Sequence, residues 1–98
     1  MRKDVLNAVK AHLTSVQADL HALYKERERL YENNMDIIEQ IYDAMDVCFF
    51  EMLCISKECC PSLRNQIQKI VGNLSYATDT KECENEFEKL NRFIRMYV

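Results

Sequence analysis

Residues 5–56 read VLNAVKAHLTSVQADLHALYKERERLYENNMDIIEQIYDAMDVCFFEMLCIS, without a Gly or a Pro. Stepping from Leu6 alternately by three and four residues meets Leu6, Val9, Leu13, Val16, Leu20, Leu23, Arg27, Leu30, Asn34, Ile37, Ile41, Ala44, Cys48 and Glu51. Only Arg27, Asn34 and Glu51 interrupt this apolar line. A strict three–four alternation is the period of a coiled-coil seam, with Leu6 at an a position and Val9 at a d position. Up to residue 30 the stripe is narrow, which suits two helices meeting along a line.

Beyond residue 30 the stripe widens. A second series runs beside the first: Tyr31, Met35, Ile38, Tyr42, Met45, Phe49 and Met52. A helix apolar over that much of its circumference needs partners on two sides, as the central helix of a small bundle does. Asn33-Asn34 is the one point where this helix could divide. Lys25, Arg27 and Arg29 before it and Asp36 and Glu39 after it would suit the dipoles of two separate helix ends. The apolar phase nevertheless passes through Asn34 unchanged, and a two-residue connection without Gly or Pro would be unusually short. The expectation is one long helix.

The rest of the chain supplies the partners. Pro61 fits the first turn of a new helix, whose apolar positions are Leu63, Ile67, Ile70, Val71 and Leu74. Gly72-Asn73 lies near its end, and Ser75 to Thr78 reads as a short connection. Asp79 followed three residues later by Glu82 resembles a capping box, with Asp in place of Ser. The last helix then buries Cys83, Phe87, Leu90, Ile94 and Tyr97. The sequence thus predicts an all-α domain over residues 1–98: a long coiled-coil-like helix with two shorter helices packed on its second half. Residues 5–32 form the oligomerisation half and 33–98 the bundle half, in a symmetric oligomer.

Composition agrees with that class. The chain has 98 residues, enough for one domain, and its 48% apolar content excludes a disordered chain. One Gly is too few for a β-protein or a phosphate-loop enzyme, which need positive-φ turns, and one Gly with one Pro excludes collagen-like or low-complexity repeats. The N-terminal Met-Arg-Lys-Asp-Val runs into an amphipathic pattern, so no secretory signal is expected, and no apolar run is long enough to span a membrane. Five cysteines, Cys48, Cys54, Cys59, Cys60 and Cys83, are an odd count with one vicinal pair. They read as small hydrophobes in a reducing compartment, cytoplasmic or nuclear.

Two short helices already used on residues 35–56 leave the narrow stripe bare. Leu6, Val9, Leu13, Val16, Leu20 and Leu23 are therefore expected to carry self-association into a dimer or tetramer, or to meet another protein's coiled coil. Arg27 and Asn34, polar at successive a positions, would fix its register. Charge adds a second expectation. Residues 1–33 sum to +1, residues 34–60 to −5 and residues 61–98 to +1, for a net −3. Lys3, Lys10, His21, Lys25 and Arg29 form one basic line, and Lys89, Arg92 and Arg95 another. Such lines can track phosphates, and a helical dimer could read duplex RNA by shape. Against that stands the ordinary use of mixed Lys/Glu faces to keep helices soluble.

Sharper chemistry is missing from the pattern. The cysteine spacings do not match the paired ligands of structural zinc. His12 and His21 lie several turns from any cysteine, with no glycine elbow. Asp43/Asp46 and Glu82/Glu86 sit at helical spacing on solvated faces. No catalytic, metal or cofactor residue is assigned, and the expected function is assembly: a non-enzymatic structural subunit or adaptor of an intracellular complex. Nucleic-acid binding is the second reading. A third is a small chaperone or inhibitor presenting Met35, Met45, Phe49 and Met52 to a client helix.

Overall fold

A computed structural model describes residues 1–30 and 35–97. It contains four helices, α1 (Lys3–Arg29), α2 (Met35–Ser56), α3 (Pro61–Ser75) and α4 (Thr80–Ile94), and a 3-10 turn over Arg95–Tyr97. Among the described residues there is no strand.

Local chemistry sets several of these ends. Asp4 lies in the first turn of α1, and Arg27 and Arg29 in its last, matching the helix dipole at both termini. Pro61 opens α3 behind an extended Cys60. Asp79 caps α4 by accepting from the Glu82 N–H at 2.8 Å. The Glu82 carboxylate reaches back as the spacing predicts, but it takes the Thr78 N–H at 2.8 Å, one residue before the cap.

The expectation of one long helix is corrected. A single helix from Lys3 to Ser56 would be about 80 Å long, whereas the longest dimension of the molecule is 47 Å. α1 and α2 instead lie side by side and antiparallel: Val16 shares a surface groove with Ile55, and Leu23 shares one with Ala44. Asn33 and Asn34, where the sequence allowed a break, lie outside the described residues. The physical reason for the fold is coverage. Stacked end to end, the apolar faces of α1 and α2 would need a second molecule, whereas paired in one chain they cover each other.

α3 packs on α2, α4 on α3, and α4 closes the ring against α1. The result is an up-down-up-down four-helix bundle, with α1 opposite α3 and α2 opposite α4 across the core. One buried cluster runs from Leu6 through Met52 and Leu63 to Ile94. The expected split into an oligomerisation half and a bundle half is therefore replaced by one core to which α1 contributes along its length.

The core lines differ from the alternation in an instructive way. α1 buries Leu6, Val9, Leu13, Val16, Leu20 and Tyr24, and Leu23 is only half-buried. A straight helix turns once in 3.6 residues and drifts away from a 3.5 repeat, so the buried position moves from 23 to 24. α2 buries Ile41, Met45, Cys48, Met52 and Ile55, drawing on both series read from the sequence. α3 and α4 bury the expected Leu63, Ile67, Ile70, Val71, Leu74, Cys83, Phe87, Leu90 and Ile94, and Tyr97 is half-buried.

Candidate interaction surface

The six residues expected to carry self-association face inward. Leu6, Val9, Leu13, Val16 and Leu20 are buried and Leu23 packs against the same cluster, all within one chain. Covered within one chain, they need no partner to keep them from water. Arg27 is half-buried at one end of the bundle. Its guanidinium lies 5.2 Å from the Tyr24 ring centroid and 5.7 Å from that of Tyr42, and it donates to the Thr78 carbonyl. It thus touches α1, α2 and the α3–α4 connection within one chain. Asn34 lies outside the described residues. The Met-rich face is divided: Met45 and Met52 are in the core, Phe49 is half-buried, and Met35 is exposed.

The basic residues fall on several faces. His21 pairs with Glu84 at 2.8 Å, Lys89 with the buried Glu86 at 3.1 Å, Arg92 with Glu88 at 2.6 Å, and Arg29 with Glu26. The hydrogen bond from His21 holds the Glu84 carboxyl below its ordinary range, and the one from Arg29 does the same for Glu26. These basic side chains are engaged by neighbouring carboxylates. Among the described residues, Lys3, Lys10, Lys25 and Arg95 have no carboxylate within salt-bridge distance. Lys10 and Arg95 line one concavity between α1 and α4, beside the Gln17–Asn91 amide pair at 3.0 Å. Lys89 opens instead toward the α3/α4 groove.

The face that stands out is one the alternation did not single out. Val47, Phe50 and Cys54 recur on α2 at steps of three and four, on the side away from the core line Ile41, Met45, Cys48, Met52. Phe50 is 66% exposed and Val47 57%. Beside them, two concavities of about 370 and 650 Å³ lie along the α1/α2 groove. The first is lined by His12, Ser15, Val16, Phe50, Glu51, Cys54 and Ile55, and the second by Asp19, Ala22, Leu23, Glu26, Ala44, Val47, Cys48 and Glu51. Sequence carried one signal for this. Phe49 and Phe50 are adjacent, so on a helix they point about 100° apart and cannot both centre on one core. Which of them turns outward depends on how α2 seats against α1 and α3.

The cysteines divide by environment. Cys48, Cys59 and Cys83 are buried, Cys60 is half-buried and Cys54 is exposed in the groove, all as free thiols. Burial raises the Cys48 and Cys59 pKa values and pushes Cys83 up to about 12. At the start of α3 the Leu63 backbone N–H favours the Cys60 thiolate, lowering its pKa below the usual thiol value. Among the described residues no three His, Cys, Asp or Glu side chains form a group that could hold a metal ion, and no helix is long and apolar enough to cross a membrane. Comparison with protein families, with curated proteins and with solved structures finds no match to this chain.

Proposed function

We propose that the chain is a non-enzymatic helical interaction module, acting as a structural subunit or adaptor of a larger complex, and that its contact surface is the outer α1/α2 face. The observation that supports this is the exposure of Phe50 and Val47 beside a groove floored by Ala22, Leu23 and Ala44. A chain of this size can bury only part of its apolar surface, so scattered exposed hydrophobes are ordinary. Two large ones at helical spacing beside two concavities that share Glu51 are the pattern of an interaction site. The proposed partner is a protein, met on a rigid bundle face and not along the Leu6–Leu23 seam.

The test is a photoreactive amino acid placed at Phe50, with Glu88 on the exposed face of α4 as the control position, in cells that make the protein. The reading expects a discrete cross-linked species from position 50 and none from position 88. Cross-links from position 88 alone, or from neither, would overturn it.

Nucleic-acid binding stays as the second reading because Lys10 and Arg95 share one concavity with two amide side chains. It would show as co-elution with a short RNA duplex that weakens steeply with salt and is lost on Lys10→Glu with Arg95→Glu. Binding unchanged by that double substitution would remove the reading.

A further inference from the structure

Resting on the α1/α2 face as the contact surface, we propose that its occupant is a basic amphipathic helix of another protein, with apolar anchors along one side and Lys or Arg beside them. Charge on this face favours such a partner. Asp19, Glu26 and Glu51 line the groove itself, and its lining contains no Lys or Arg, with His12 as its one base. Asp43 and Asp46 lie exposed on α2 beyond Val47 and Phe50. Glu26 is already held by Arg29, but among the described residues Asp19, Asp43, Asp46 and Glu51 have no cationic partner. These residues lie mostly in the segment that carries −5, on a chain whose two flanking segments are each +1.

Shape agrees with a helix. The lining on α1 runs from His12 to Glu26, about 21 Å at ~1.5 Å per residue. That is the length of a helix of about four turns. Ala22 and Ala44 keep the floor low, so a third helix can approach both α1 and α2 closely, while Phe50 and Val47 stand up to meet its apolar anchors. A second copy of this chain is disfavoured on the same face. Two-fold pairing would set Asp19, Asp43, Asp46 and Glu51 against the same four carboxylates, at separations where salt does not fully screen like charges.

The experiment titrates the labelled full-length protein with two stapled 16-residue helical peptides that share one Leu/Ala face. One carries Lys and Arg on its flanks and the other Glu and Asp. Backbone amide shifts report where each peptide sits. The basic peptide should move resonances of residues 12–26 and 44–55, bind at least tenfold more tightly than the acidic one, and weaken as salt rises. Asp19→Lys with Glu51→Lys should reverse the preference while leaving the helical fold intact by circular dichroism. Equal affinities for the two peptides would overturn the basic occupant and leave the face as the contact surface. Shifts confined to the α1/α4 side would overturn both. A homodimer that protects position 50 from cross-linking would replace the foreign helix with a second copy and overturn the proposal.

Discussion

Tyr24, Arg27 and Glu28 show how single side chains of α1 tie one end of the bundle together. The Tyr24 hydroxyl crosses the core to donate at 2.6 Å to the Leu74 carbonyl, which also accepts from the Ala77 N–H at 3.1 Å at the end of α3. Arg27 donates to Thr78 and covers two tyrosine rings, and Glu28 accepts from the Thr80 N–H at 2.6 Å, at the start of α4. Burial pushes the Tyr24 phenol up to about 12 from its ordinary 10.0. The folded state thus holds that proton more tightly than the unfolded chain does. Its contribution is whole below pH ~10 and is lost as pH rises toward about 12. Cys83, also pushed up to about 12, acts in the same direction from a lower starting value. Tyr24→Phe should therefore cost about 1 kcal/mol near neutral pH and flatten the alkaline fall in stability. Urea melts between pH 8 and 11.5 check this, and parallel curves for the two proteins would count against the buried phenol.

The elements differ in how far their sequence determined them. α3 and α4 were legible: Pro61, the Asp79/Glu82 spacing and the apolar positions fell where they were expected, because caps and amphipathic faces are local features. The division between α1 and α2 was not. A three–four alternation reads alike whether the facing helix belongs to a second chain or to the next segment of the same one, so Leu6–Leu20 could be assigned to a seam but not to its partner. The move from Leu23 to Tyr24 and the outward turn of Phe50 were hidden for a related reason, since both depend on how whole helices seat against one another. One position inside α3 is open to a simple test. Gly72 is exposed, and a Cβ built on it meets nothing within 4 Å. Gly72→Ala should stabilise the helix by about 0.5–1 kcal/mol, raising the melting temperature by about 2–8 °C. No change, or a fall, would mean that α3 is not continuous through residue 72.

At the scale of the whole molecule, the seam and the surface exchange roles. Residues expected to join chains make the core, and the outward face of α2 is the contact surface we propose. Leu13→Glu separates the two arrangements. In an intermolecular seam it would release folded monomers. In the bundle it places a charge at a buried position, and it should cost more than the ~2–5 kcal/mol of a Leu→Ala change, most or all of the stability of a domain this small. Circular dichroism should accordingly show the variant largely unfolded, and a well-folded helical monomer would contradict the closed bundle.

The closure itself is tested most directly by X-ray scattering with in-line light scattering on a sizing column. The account predicts a mass of one chain, 11.6 kDa, with a longest dimension near the 47 Å of the bundle. A particle of two or more chains with a longest dimension of about 80 Å, the length of an unbroken helix from Lys3 to Ser56, would contradict it.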